Sequence, residues 1–384
     1  MTTSNKSPRG KFWVVLGLMV CVVAATYFGF GAWKKYMPKT AGPIRITAQP
    51  QQIWLEAGDA QQSRNFDFLV ENLGPTPLGI DSIEVTAFDT GDKPILRRFI
   101  DSNGFAPAID TMPGRVVAPG AKILVFNPFH SFRPDIDLHR LSYTFSLSIP
   151  QEAPDATATV SIKPQVYAAK TALSLPIKGK FMVHDGHDYY AHHRRLNTEH
   201  PAAKDLGLAQ NFMRYNLDLN STNDHFDIHR GTGAKNEDWF AWGQPLYATG
   251  DGTVVDAADA TPDNIRGGES FFKGEKVKTE PMHFYGNYLV IDHGNGEFSL
   301  LGHVQKGSLA VKVGDVVKRG QLVARIGNSG SSHNPQVHYE LRTGKDLKVE
   351  GLPATFVGYR RHLGAKVVPV DAGPVDTGDM LEAL

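Results

Sequence analysis

Histidine and aspartate side chains crowd one part of this 384-residue chain. Most of its 15 histidines fall between residues 184 and 338. In chain order, His192-His193 and Asp218 come first, then His225, Asp227 and His229, then His303 and His338. Imidazole nitrogens and carboxylate oxygens are suitable donors for a catalytic zinc ion, which needs three protein ligands and one open position. Such a metal lowers the pKa of bound water to about 7 and polarises a scissile carbonyl. Such a site would lie where these histidines cluster. His184, His187, His200, His283 and His362 have no expected part in ligation, and His293 reads as a turn residue that hydrogen-bonds locally.

Elements that could position such a set lie between Gly286 and Leu341. Residues 288–292 and 297–302 are short apolar and aromatic runs flanking His293-Gly294-Asn295-Gly296. Two runs around an Asn-Gly turn predict a β-hairpin. Residues 311–317 and 321–326 predict a second, with Lys318-Arg319-Gly320 at its tip. A further strand over 336–341 follows a Gly/Ser/Asn loop. The two-residue strand period puts Gln336, His338 and Glu340 on one face. Upstream, residues 243–255 read as strand, turn and strand.

These pieces resemble the lysostaphin-type (β-lytic) zinc metalloendopeptidases, which cleave peptide bonds in peptidoglycan. The matching stretches begin with Asp251-Gly252-Thr253-Val254-Val255, Gly286-Asn287-Tyr288 and Asp292-His293-Gly294-Asn295-Gly296. Gly302-His303-Val304, Val313-Gly314-Asp315-Val316-Val317, Gly327-Asn328-Ser329-Gly330 and Val337-His338-Tyr339-Glu340-Leu341 complete them. Together they cover about the last 190 residues, and the set is far more specific than any one piece. A lipoyl-type carrier domain shares the Val313–Val317 phrase, but Lys318-Arg319-Gly320 is not its modification motif.

The resemblance implies an antiparallel β-sheet or β-roll zinc peptidase domain over residues 171–370. In that family a His and an Asp near the domain start bind zinc with the second His of a His-x-His strand. By that correspondence the metal ligands are His193, Asp218 and His338, with His192 as the substitute for His193. His225, Asp227 and His229 form a rival set in what reads as an inserted loop. His303 matches the free histidine that hydrogen-bonds the attacking water or stabilises the oxyanion. Gln336 stands where the first His of His-x-His is expected. Glutamine takes no proton at neutral pH, so this departure bears on general-base strength and not on ligation. His303 and Gln336 are therefore the expected catalytic positions.

The rest of the chain predicts how this domain is presented. Residues 12–33 carry no charge, with Trp13 and Trp33 near the ends. At about 1.5 Å per residue they can cross a hydrocarbon core of about 30 Å. The span predicts an uncleaved transmembrane signal anchor in the lipid bilayer, because a cleaved signal has a shorter apolar core and a small-residue cleavage site. Lys6, Arg9 and Lys11 predict that residues 1–11 stay cytoplasmic, with the C-terminal domains on the periplasmic or extracytoplasmic side. The single cysteine, Cys21, falls inside the span, so the exported part needs no disulfide.

Residues 34–170 read as a linker followed by a β-sandwich of immunoglobulin size, from short strands at regular spacing. It carries no catalytic constellation and reads as a spacer or docking module. The acidic, Gly- and Pro-containing residues 371–384 predict disorder. The fold class is mainly β throughout. Formal net charge is zero, which gives no footing for nucleic acid. Two functions compete. One is a membrane-anchored zinc endopeptidase that hydrolyses peptidoglycan cross-links through a zinc-bound water. The other is a degenerate member that binds cell wall or regulates a wall hydrolase without cutting, a reading kept open by Gln336.

Overall fold

Runs of β-branched and aromatic residues between Gly, Pro and Asn turns make strands the main regular structure among the described residues. The computed structural model describes residues 44–59, 61–101, 114–149 and 156–384. The expected cytoplasmic tail 1–11 and membrane span 12–33 lie outside the described residues. Among the described residues no helix is long and apolar enough to cross a membrane.

The first twelve strands begin with β1 (Ile44–Gln49), β2 (Trp54–Ala57), β3 (Gln62–Ser63), β4 (Asp67–Asn72), β5 (Leu78–Phe88) and β6 (Pro94–Asp101). β7 (Val116–Val117), β8 (Lys122–Phe126), β9 (Ser131–Phe132), β10 (Arg140–Ser148), β11 (Ala156–Ile162) and β12 (Gln165–Val166) follow. Sheets β1-β4-β8 and β11-β10-β5-β6 share one core that includes Phe68, Ile83, Tyr143 and Phe145. Strand β10 shows why: Leu141, Tyr143, Phe145 and Leu147 alternate inward with less buried neighbours. Two sheets packed over one core make a sandwich.

The second half contains β13 (Gly179–Asp185), β14 (Leu217–Ser221), β15 (Pro245–Tyr247), β16 (Gly252–Ala258), β17 (Tyr288–Asp292) and β18 (Phe298–Gly302). It ends with β19 (Val316–Val317), β20 (Leu322–Arg325), β21 (Val337–Arg342), β22 (Phe356–Leu363), β23 (Lys366–Gly373) and β24 (Met380–Ala383). Ten of them form one sheet, ordered β19-β16-β17-β18-β21-β14-β13-β24-β22-β23, while β15 pairs β20. Both faces of its centre are covered. Leu289, Ile291 and Leu301 enter one core, and Tyr288, Val290 and Leu300 enter another with Phe212 and Tyr285. Burial on both faces explains why 288–291 is continuously apolar.

The hairpin expected at 288–302 forms, with Leu289 opposite Leu301 and Asp292 opposite Phe298. The one expected from 311–317 and 321–326 does not. Val316–Val317 pairs with Gly252 and Thr253, and β20 pairs with β15. Gly320 at the expected tip donates its N–H to the Ala248 carbonyl instead. Partners distant in sequence outcompete the local pairing. The C-terminal tail also departs from expectation. Residues 371–384 are not without structure: β24 pairs β13 and β22, and Leu381 is fully buried. Its acidic residues find partners, since Asp379 accepts from Arg361. One buried leucine and two flanking strands outweigh a polar composition.

His187 sits where the tail and the sandwich meet. Its Nε2 lies 2.8 Å from Glu56 of β2, and Nδ1 lies 3.8 Å from Asp376. Burial alone would push its pKa down, but the Asp376 and Glu56 carboxylates outweigh that and raise it to about 9. A raised folded-state pKa contributes stability below the unfolded value of about 6.5, lost as pH rises through the folded value. The thermal midpoint should therefore fall between pH 6.5 and 9, and His187→Gln should flatten that slope. Circular dichroism melts across the range would show it, and an unchanged slope in the variant would rule His187 out as the cause.

Candidate metal centre

One row of residues crosses four adjacent strands. Asp185 of β13 is the register partner of Asp218 of β14, Asp218 of His338 on β21, and His338 of Gly302 on β18. The two-residue period sends Leu217, Leu219, Val337 and Tyr339 into the core behind the sheet, and sends Asp218, His338 and Glu340 to the opposite face. A bulge between Val183 and Asp185 brings Asp185 into the row. Gly302 makes room for it: a Cβ there would lie 3.1 Å from the Tyr285 ring and 3.5 Å from His338 Cβ.

His338 Nδ1 lies 2.8 Å from Asp218 Oδ1, and its Nε2 lies 2.9 Å from Glu340 Oε1. Glu340 is fully buried and held by the Tyr285 hydroxyl at 2.7 Å, Asn216 at 2.9 Å and Arg342 at 3.0 Å. His193 approaches from a loop. Its Nε2 is 3.7 Å from Asp218 Oδ2, and its Nδ1 is 3.3 Å from Asp185 Oδ2. Each of these two imidazoles thus turns one nitrogen toward Asp218 and the other toward a carboxylate. A carboxylate hydrogen-bonded to the outer nitrogen, as Glu340 is to His338, fixes the tautomer of a metal-binding histidine and raises its basicity.

The electrostatics agree with that arrangement. Burial pushes His193 down to about 4, leaving it neutral with a lone pair to give. Burial would raise Asp218, but His193 and His338 hold it well below the usual carboxylate range. Burial would lower His338, yet Asp218 and Glu340 raise it to about 9, so a metal binding at neutral pH must displace its proton. Asp185, His192, His193 and Asp218 offer donor atoms within 4.8 Å of one another, a set without His338. The two donor sets share His193 and Asp218. We favour His338 over His192 as the third ligand, because the His192 side chain is 70% exposed whereas His338 is buried and hydrogen-bonded to Asp218. The buried atoms His193 Nδ1 and Asp185 Oδ2 make no hydrogen bond. Two neutralisable imidazoles and one buried carboxylate fit zinc.

His303 leaves β18 in the left-handed region at φ +59°, which folds its ring back beside the row. Its ring centroid is 5.5 Å from that of His338. Nδ1 lies 2.8 Å from the Ser329 carbonyl, which can only accept, so Nδ1 carries the proton and Nε2 keeps its lone pair. Burial pushes its pKa down to about 4, with His338 adding to the shift. Neutral His303 is therefore an acceptor. Gln336 lies buried just before β21, with Oε1 3.5 Å from Asn334 Nδ2. His333 is exposed in the preceding loop.

The rival residues lie elsewhere. His225 and Asp227 are exposed on a turn held by Asn223, whose Oδ1 accepts from both backbone N–H groups. His229 packs on Trp239 at 4.9 Å. His293 makes the local bonds expected of it, to the Asp251 carbonyl and the Ser299 hydroxyl. From this geometry His193→Ala should weaken zinc binding by at least tenfold, while His225→Ala leaves it unchanged. Zinc titration of the two variants reads the difference, and the reverse order would move the site to the 220–230 turn.

Residues 229–349 match peptidase family M23. The lipoprotein NlpD of Yersinia enterocolitica is 31% identical over 100 residues, which cover 26% of this chain and 78% of NlpD. The chain belongs to the M23 peptidase family. The expected lysostaphin-type resemblance holds. The peptidoglycan DD-endopeptidase ShyA of Vibrio cholerae serotype O1 is 34% identical over 99 residues, 26% of this chain and 17% of ShyA. The murein hydrolase activator EnvC of Escherichia coli is 32% identical over 91 residues, 24% of this chain and 20% of EnvC. The chain thus spans a fifth or less of ShyA and EnvC. The M23 stretch contains His303, Gln336 and His338, whereas His193 and Asp218 lie upstream of it.

Sequence reasoning passed over Asp185, Asn216, Tyr285 and Arg342. Glu340 had a signal, since it alternates with His338 on one strand. The others had none, because they reach the centre through register and packing.

Proposed function

We propose that this chain is a zinc metalloendopeptidase that hydrolyses peptide cross-links of peptidoglycan. The observation that carries the proposal is the Asp185–Asp218–His338 row, with His193 turned toward Asp218 and His338 backed by Glu340. The similarity to ShyA, a peptidoglycan DD-endopeptidase, supports the substrate class. His193, Asp218 and His338 would hold the metal, and Asp185 and Glu340 would orient the imidazoles. Zinc, when bound, supplies Lewis acidity toward the scissile carbonyl and lowers the pKa of water. His303 accepts the water proton at Nε2, its Nδ1 being fixed to Ser329. Gln336 hydrogen-bonds substrate or water and takes no proton. Residues 12–33 anchor the chain in the bilayer with its C-terminal domains outside the cytoplasm, so the native chain should resist high-salt extraction from membranes.

The test is metal content together with digestion of purified peptidoglycan by the detergent-solubilised chain. About one zinc per chain and released peptide fragments are expected, both lost with chelator. Gln336 favours a second reading, in which the centre holds zinc and binds wall peptides or a wall hydrolase without cutting. The similarity to EnvC, a murein hydrolase activator, fits it. Zinc without hydrolysis, with retention on intact sacculi, would decide for that reading.

A further inference from the structure

Asp67 is a buried carboxylate of the sandwich, 1% exposed, and it points at the other domain. Its Oδ1 accepts from Arg194 Nη1 at 2.6 Å, and its Oδ2 accepts from Arg214 Nη1 at 2.7 Å. Arg194 is fully buried, and the sandwich takes its whole fork. Nη2 donates to the Phe66 carbonyl at 2.8 Å and Nε to Asn65 Oδ1 at 3.2 Å. Arg214 is 3% exposed and also pairs with Glu350.

These two arginines stand on the two segments that carry the upstream ligands. Arg194 directly follows His193. Arg214 precedes Asn216, which touches His338 and Glu340, and then Asp218. Asn211 cross-ties the segments by donating to the carbonyls of both His193 and Arg194 at 3.1 Å. Neither segment is held by strand pairing where its arginine sits, since residues 191–196 and 211–216 are turns. Their spacing depends on side chains, and a planar guanidinium fixes direction as well as distance.

We propose that Asp67 is a positioning residue of the metal centre. One oxygen holds the His193 segment and the other holds the Asp218 segment, so a residue of the sandwich sets the separation of two ligands. The inference rests on the metal-centre reading above. It makes the sandwich part of the centre, where the sequence suggested a spacer or docking module. Outer partners that orient metal ligands typically cost 10- to 100-fold in metal affinity when removed.

The experiment uses the full chain in detergent, as wild type, Asp67→Asn, Arg194→Lys and Leu147→Ala. Asp67→Asn keeps the shape and removes the charge. Arg194→Lys keeps the buried charge and loses the fork, and it decides the matter if Asp67→Asn does not fold. Leu147→Ala opens the sandwich core on the other sheet and serves as a control for simple destabilisation. Zinc affinity should fall 10- to 100-fold in the first two and stay at the wild-type value in Leu147→Ala. Hydrogen exchange of the zinc-free proteins should quicken in residues 191–197 and 211–218 in the first two alone. Wild-type affinity and exchange in both Asp67→Asn and Arg194→Lys would overturn the proposal, as would equal losses in Leu147→Ala. A wild-type chain that binds no zinc would end the metal-centre reading, and exchange would then judge the clamp by itself.

Discussion

Zinc should leave the chain when His338 is replaced by alanine. Three ligands become two, and a His/Asp site of two does not hold zinc through purification. Metal content should drop from about one per chain to near zero. The fold should survive the change. Glu340 loses one of its partners but keeps Tyr285, Asn216 and Arg342. The remaining cost is a cavity and a weakened buried network, about 1–3 kcal/mol. Asp218→Ala should lose zinc as completely, because its carboxylate faces both imidazoles. Metal analysis after gel filtration, with circular dichroism to show folding, measures this. A folded His338→Ala protein at full zinc occupancy would mean that β21 does not carry the ligand.

His303→Ala should remove nearly all turnover and leave zinc bound. In the proposed centre His303 is not a ligand, and Gln336 offers no second imidazole, so the proton acceptor would be gone. Loss of one such positioned group typically costs 10²–10⁴-fold. His303 also holds a left-handed backbone conformation, which asparagine tolerates better than alanine. His303→Asn therefore separates the imidazole's chemistry from backbone strain and should be as inactive as His303→Ala. Gln336→His restores a titratable ring beside the row and should raise activity, or create it in an inert protein. Peptidoglycan digestion beside zinc analysis reads all of these. If wild type holds zinc and neither it nor Gln336→His releases any fragment, the hydrolase proposal is lost and the binding reading stands.

Some of this was legible in the residues because strand chemistry is local. Alternation along 336–341 already placed His338 and Glu340 on one face, and the Asn-Gly turn at 293–296 already predicted the 288–302 hairpin. The histidines and the stretches around them pointed to M23-type zinc chemistry before any contact was known. What tertiary structure alone decided is which distant segments share a row. Asp218 and His338 are 120 residues apart, and their register follows from the core residues on the opposite face, since a slip of one residue would expose Leu217 and Val337. The same non-local packing paired β20 with β15 in place of the expected hairpin and ordered the C-terminal strand around Leu381. It left His225 exposed and brought His193 to Asp218. It also brought Asp67 to Arg194 and Arg214, 127 and 147 residues away. No sequence period reports such contacts, because a buried ion pair between two domains depends on where both domains place their backbones.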